Sequence, residues 1–377
     1  MAFGPEDSAA GIGLVFVSFL FWGAHPICRR VAKEADGAAY ALVCFLGECF
    51  FALVFCNVFG ALTCPSSSSC SWLTTSVGWD EIATTLSTRG KILWIILGGS
   101  LVGCGDFFLP IVMSYVPATI AFPIVAGGCL SAGTFMNFLI VGNAKPIALF
   151  TGLFAAIFAV LAMAKGQSKR VGPKTVSSTV QGIIEMTDLT EKASPPTAAE
   201  DDGRNEEQSD RGGRKWVFLL VLMGLNNSLW SPLSSLGQSG EDGIASPYAA
   251  YFALELGRVG IQPFIHIFYN GCCRKRLSKR SSIELAKELT RHDFLYAFLN
   301  GMLISIGYFF YFLSSVVVNK AAAFAISNCA PLVTVLLGVC VLREVDMYSS
   351  ASKKLIALSI LLYTAAIALL TFSSLPE

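Results

Sequence analysis

A stretch of 44 residues recurs in this chain, in register and without a gap, 202 positions further on. Gly99 to Gly142 reads GSLVGCGDFFLPIVMSYVPATIAFPIVAGGCLSAGTFMNFLIVG, and Gly301 to Glu344 reads GMLISIGYFFYFLSSVVVNKAAAFAISNCAPLVTVLLGVCVLRE. Gly99/Gly301, Gly105/Gly307, Phe107/Phe309, Phe108/Phe310, Phe122/Phe324 and Leu130/Leu332 are among the identical pairs. Both copies are apolar enough to lie in lipid. A repeated membrane chain of this kind has to build two similar half-units, and such halves meet around a central site in secondary transporters.

The composition agrees with a bilayer environment. Hydrophobic residues make up 54% of the chain and charged residues 14%, whereas soluble domains carry roughly 25% charge. A net charge of +1 leaves no domain-wide basic surface, which argues against a nucleic-acid partner. The 12 cysteines show no C-x-x-C spacing, so no metal site is expected and most should be small buried apolar residues. The first apolar run continues to Cys28 without a small-residue cleavage site, so it reads as a span and not as a cleaved leader.

Ten apolar runs lie near the ~20 residues that a bilayer-crossing helix needs. They are expected at about Gly11–Cys28, Ala38–Leu62, Ile92–Tyr115, Pro117–Val141, Pro146–Ala164, Trp216–Leu236, Pro247–Tyr269, Phe294–Val318, Ala321–Leu342 and Leu355–Phe372. Residues 166–214 are rich in Ser, Glu, Asp, Lys and Arg and read as a disordered linker. It separates a first five-helix repeat, residues 1–165, from a second, residues 215–377. The odd-numbered loops hold 22 Lys and Arg residues and the even-numbered loops 4, which places the odd loops in the cytosol and both termini outside or in a lumen. Five spans per half is an odd number, so the halves insert with opposite orientation. The expected fold is an all-α integral membrane protein with ten transmembrane helices in an inverted 5+5 repeat, and with its substrate site near the midplane. Cys64 and Cys70, in a loop assigned to the outer side, are expected to form a disulfide.

Ionisable residues inside apolar spans are costly and mark cavities, partners or substrates. Here they are His25, Glu48, Asp106, Glu255, Arg258 and His266. Glu255 and Arg258, three apart on one helix face, can pair as a polar clamp beside the substrate. Aligning Phe45 with Phe252 puts Glu48 at the place of Glu255, so two carboxylates should face each other across the cavity. With one arginine to share, Glu48 is the expected unpaired carboxylate and the proton carrier, and Asp106 is the substitute. Asp106 follows Gly103 and Gly105, and small residues let a neighbouring backbone approach. His25 precedes Pro26, and Asn226-Asn-Ser-Leu-Trp-Ser-Pro232 opens the second half in a similar way. Each half therefore begins with a proline-interrupted helix, a pointer to a binding site.

Trp22, His25, Asp106, Asn226, Trp230, Glu255, Arg258 and Asn328 are the expected substrate-binding residues. The hydroxyl of Ser327 and the amide of Asn328 in span nine, with aromatic rings, suit a neutral, hydrogen-bonding solute, whereas a polyanion would want several basic residues within the spans. Enzyme signatures are missing: there is no G-x-S-x-G, no HExxH, and the nearest P-loop-like stretch, Gly166 to Thr175, is interrupted by Pro173. No cofactor is expected. The partners expected are the bilayer, a small solute and a proton or other coupling cation, with the oligomeric state open.

Ten spans in five-plus-five halves, each with the same tight hairpin, resemble the drug/metabolite transporter superfamily. Within it the chain is most similar to the plant ureide permeases. Ser231-Pro-Leu, the run from Leu299-Asn-Gly through Lys320-Ala-Ala-Ala to Cys329-Ala-Pro-Leu-Val-Thr, and Val341-Leu-Arg-Glu344 carry the likeness, together with Gly98 to Asn137. The resemblance implies proton-linked uptake of ureides such as allantoin, or of nucleobases such as uracil. That family is described with a Walker-A-like stretch in its central loop, and here the motif is broken. Sugar and nucleotide-sugar transporters of the same superfamily share the hairpin pattern and are the alternative. A non-transporting membrane scaffold or sensor is the remoter one.

Overall fold

The computed structural model describes residues 7–32, 35–62, 90–116, 118–142, 144–168, 218–240, 246–274, 280–341 and 348–375. Its elements are α1 (Ser8–Val31), α2 (Gly37–Leu62), α3 (Lys91–Val112), α4 (Ala118–Val141), α5 (Pro146–Ser168), α6 (residues 218–228), α7 (Trp230–Gln238), α8 (Pro247–Phe268), α9 (Ser282–Lys287), α10 (Arg291–Ser314), α11 (Lys320–Ser327), α12 (Pro331–Cys340) and α13 (Ser350–Ser374). A single π-helical turn, Tyr269–Arg274, follows α8. No β-strand occurs among the described residues. The Cys64–Cys70 pair and nearly all of the central linker lie outside the described residues.

Eight helical segments among the described residues are long and apolar enough to cross a membrane, which fits an all-α, multi-pass membrane protein. Two of the ten expected runs fall short of that measure for identifiable reasons. The run Trp216–Leu236 is broken into α6 and α7 by a turn at Leu229, just ahead of Pro232, which has no N–H to continue the helix ladder. Helix α8 has the length, but Glu255, Arg258, Gln262 and His266 dilute its apolar character. The ninth run is continuous in hydropathy and yet divides into α11 and α12 through a turn at residues 328–330, with Pro331 restarting the helix at its first position. Pro26 leaves α1 unbroken.

Helix α5 shows what the outside of the bundle faces. Ile147 is 84% exposed, and Phe154, Phe158 and Leu161 form a further exposed apolar stripe at helical spacing. Such a surface suits lipid tails, which solvate it without cost. Inside, α3 lies against α7 and α8, α10 against α1 and α2, and α5 against α13.

Four glycines set the closest of these approaches. A Cβ at Gly99 would strike the Leu254 carbonyl oxygen, and one at Gly301 the Cys44 carbonyl oxygen. In the reverse direction, Gly257 of α8 meets the Ile96 carbonyl and Gly47 of α2 meets the Phe298 carbonyl. Backbones in such contact leave no room for a side chain, as at small-residue helix crossings in membranes. Gly301→Ala should therefore destabilise the protein by about 1–3 kcal/mol through overpacking. Thermal melts in detergent would read this as a lowered midpoint. Gly260→Ala is the control: open space surrounds Gly260, so its midpoint should hold or rise.

Candidate functional site

Arg258 is fully buried at the centre of the bundle, and three carboxylates from three helices converge on its guanidinium. Nη1 donates to Glu255 Oε1 at 2.7 Å, one turn away on α8. Nη2 donates to Asp106 Oδ2 of α3 at 2.8 Å and lies 2.8 Å from Glu48 Oε1 of α2. The Tyr308 ring covers the same guanidinium, 4.5 Å from its centre. Ser305 Oγ donates to Glu255 Oε1 at 2.9 Å and shares a 2.7 Å hydrogen bond with the Tyr251 hydroxyl. Gly103 allows this assembly, because the Arg258 backbone passes within 3.0 Å of where its Cβ would lie.

The charges do not balance. One guanidinium faces three carboxylates, and burying excess charge of one sign in low dielectric is strongly unfavourable. Glu48 Oε2 and Glu255 Oε2 are buried without a hydrogen-bond partner. The cluster therefore has the capacity to take up protons, and it ties α2, α3 and α8 to one point.

Beside the cluster lies a chamber with an empty volume of about 550 Å³, its mouth included. Trp22, Trp230 and Tyr308 form its aromatic wall, and Asp106, His25, Asn227 and Asn328 are its polar lining. The rings hold one another edge-on: Trp22 and Trp230 are each 4.9 Å from Tyr308. Trp22 Nε1 donates to the Ile304 carbonyl at 3.2 Å, and His25 Nδ1 lies 3.1 Å from Asn300 Oδ1. Asn328 Nδ2 donates back to the Phe324 carbonyl at 2.9 Å within the turn that separates α11 from α12. The chamber has no Lys or Arg in its lining.

A smaller pocket shares His25, Asp106, Leu109 and Ile304 with the chamber and runs on to Arg29 and Met113, at the C-terminal ends of α1 and α3. At the other end of α3, Lys91 Nζ donates to the Ser239 carbonyl, and Lys320 Nζ donates to Gln238 Oε1 at 3.0 Å. These contacts fasten the end of α7 to the starts of α3 and α11, while the chamber and the smaller pocket meet at His25, Asp106, Leu109 and Ile304.

The residues expected from sequence divide into two groups here. Trp22, His25, Asp106, Trp230 and Asn328 line the chamber. Glu48, Glu255 and Arg258 form the ion cluster behind it, with Asp106 the member common to both. Asn226 does neither: its Nδ2 donates to the Leu101 carbonyl at 2.6 Å and props α6 against α3, while its neighbour Asn227 faces the chamber. The sequence reading also leaves Glu48 unpaired and sets it opposite Glu255. In the fold Glu48 touches Arg258, and the helix contacts give the reason. Gly47 and Gly257 make matching backbone contacts, so the residues that follow them, Glu48 and Arg258, hold equivalent places. The Phe45/Phe252 alignment is three residues out of step with these contacts and so sets Glu48 opposite Glu255 in place of Arg258.

Asn300 and Ser305 escaped the expected site residues, although both are polar groups in the mostly apolar stretch of α10 from Ala297 to Phe310. Weighing neutral polar residues as heavily as charged ones would have found them.

No protein-family model matches the chain, and no curated protein matches it. A solved structure described as "Crystal structure of protein" is similar to it at a TM-score of 0.55 and 12% identity, over 97% of this chain and 98% of that one. At that identity the likeness is one of fold alone, and it runs nearly the full length of both chains.

Proposed function

We propose that this protein is a secondary active transporter of a small, neutral, hydrogen-bonding solute, driven by protons and built as ten spans in an inverted 5+5 repeat. The observation that carries the reading is Asp106, which lines the chamber with its side chain and grips Arg258 with the same carboxylate. A group shared in this way can make occupancy of the chamber and protonation of the cluster depend on each other. Coupling of solute and proton requires such a linkage.

The inverted repeat is supported by two matched pairs of contacts, Gly99 on Leu254 with Gly301 on Cys44, and Gly47 on Phe298 with Gly257 on Ile96, each made on the opposite half of the chain. In such a repeat Glu48 and Arg258 become symmetry partners of opposite charge. The broken helix α6–α7 beside the chamber is what transporters of this build use to line a site with freed backbone groups. The solute class rests on the lining. Aromatic faces and amides suit a planar solute rich in N–H and C=O groups, in line with the resemblance to ureide permeases. A nucleotide sugar would bring a diphosphate, whereas Arg258 is already engaged by three carboxylates and Arg29 of the adjoining pocket donates to the Ala32 carbonyl and the Ser114 hydroxyl.

Proteoliposomes containing the pure protein test the proposal. An inward-directed proton gradient should raise initial uptake of labelled allantoin or uracil at least about fivefold over protein-free vesicles, and excess unlabelled solute should drive exchange without a gradient. Exchange of nucleotide sugars or hexoses, with neither allantoin nor uracil moving, would favour the sugar-transporter alternative. No exchange of any of them would point to a scaffold or sensor.

A further inference from the structure

A groove on the outer surface is unrelated to the chamber. Leu42, Val43 and Leu46 of α2 form one wall, Ala286 and Leu289 the facing wall, and Phe294 of α10 the end. Its empty volume is about 940 Å³ with the open space at its mouth, large enough for an acyl chain. Leu46 and Phe294 are exposed to the outside of the bundle, as is Ile283 of the short helix α9.

The rim of this groove carries two cations, Lys287 and Arg291. The acidic groups around them are already occupied. Glu284 closes the capping box on Ser281, with the Ser281 N–H donating to Glu284 Oε2 at 2.8 Å. Glu288 pairs with Arg280. Asp293 accepts from the Thr290 hydroxyl at 2.8 Å and lies 3.6 Å from His292. Neither Lys287 nor Arg291 has an ion pair among the described residues. The preceding loop adds Arg274, Lys275, Arg276 and Lys279 in sequence. An apolar furrow flanked by two cations with no direct ion pair among the described residues matches one kind of molecule: an acyl chain joined to a negatively charged headgroup.

We infer that this groove, between α2 and the α9–α10 segment, is a binding site for one anionic phospholipid, its acyl chain lying along Leu42, Val43 and Leu46 and its phosphate held by Lys287 and Arg291. The loop concerned is among the most basic in the chain, and the charge asymmetry between loops assigns it to the cytoplasmic side. Anionic lipids are concentrated in that leaflet, where each nearby Lys or Arg adds to the attraction. Basic residues alone would give diffuse, exchangeable lipid contacts, and an apolar groove alone would take any lipid. The combination selects for charge. The site also has a mechanical consequence, because Leu46 lies two residues from Glu48 on the helix that brings Glu48 to Arg258. A lipid seated there presses α2 onto the cluster from behind. None of this rests on the transport reading, since binding is measured without a solute.

Native mass spectrometry of the full-length protein in detergent tests it, titrating with phosphatidylserine or with phosphatidylcholine of the same acyl chains. One phosphatidylserine per protein should be retained at about fivefold lower concentration than phosphatidylcholine. The double variant Lys287→Gln, Arg291→Gln should reduce phosphatidylserine to the phosphatidylcholine level and leave phosphatidylcholine unchanged. Leu46→Trp, which fills the furrow, should remove the tightly held lipid while leaving the thermal midpoint without lipid intact. Glycerophosphoserine, the headgroup without chains, should not compete at equal concentration. Equal retention of the two lipids, or an undiminished phosphatidylserine preference in the double variant, overturns the assignment. Competition by glycerophosphoserine also overturns it, by making the site one for a free phosphate ester.

Discussion

Arg258→Met should destabilise the protein by about 3–5 kcal/mol, the usual cost of stripping a buried ion cluster of one sign of charge. Methionine matches the arginine stem closely enough to keep the packing under Tyr308, so what is lost is the guanidinium and not the volume. Three carboxylates then remain around an empty position, two of them with an oxygen that already lacks a donor. Expression should fall steeply and the thermal midpoint in detergent should drop by many degrees. The companion experiment gives the cause. Arg258→Met combined with Glu48→Gln, Asp106→Asn and Glu255→Gln removes every charge at once, and replacing a whole buried ionic group with neutral residues is often close to neutral in stability. The quadruple variant should recover most of the midpoint and transport nothing. If the single variant is as stable as the wild type, the cluster does not bear on folding; if the quadruple variant is no better than the single, the loss was one of packing.

Glu48→Gln should abolish accumulation driven by a proton gradient while leaving exchange of labelled for unlabelled solute largely intact. Glu48 is buried behind Arg258 and does not line the chamber, so an isosteric amide leaves the solute's contacts unchanged. It shares Nη2 of Arg258 with Asp106, each oxygen 2.8 Å from that nitrogen. Exchange without net proton movement needs only the solute site. Asp106→Asn, which alters the chamber wall itself, should lose both activities. Side-by-side assays at two external pH values separate the roles: an unchanged pH dependence in Glu48→Gln transfers proton carriage to Asp106, and loss of exchange in Glu48→Gln places it in solute binding.

Much of this site was legible because lipid makes ionisable residues conspicuous. Glu48, Asp106, Glu255 and Arg258 stand out in any hydropathy scan, and all four meet at one point. What could not be read was their pairing, since helix register is decided by backbone contacts such as Gly47 on Phe298, and an alignment anchored on phenylalanines shifts it. Asn226 and Asn227 illustrate a second limit. Adjacent residues on a helix point about 100° apart, and sequence alone did not say which would face inward. The break at Leu229 was signalled by Pro232, whereas Pro26 sends the same signal in a helix that continues through it.

The glycine seams carry a consequence for motion. Helices that meet backbone to backbone at these glycines, with side-chain contacts alongside, should move as one strut, and these struts are shared across the chain: α2 with α10, and α3 with α8. Each strut takes one member from before the central linker and one from after it. Under the transport reading proposed above, the moving parts would then be not the two sequence halves but two hybrids, each woven from both. Cutting the linker would leave every strut whole, so the severed halves should still purify together.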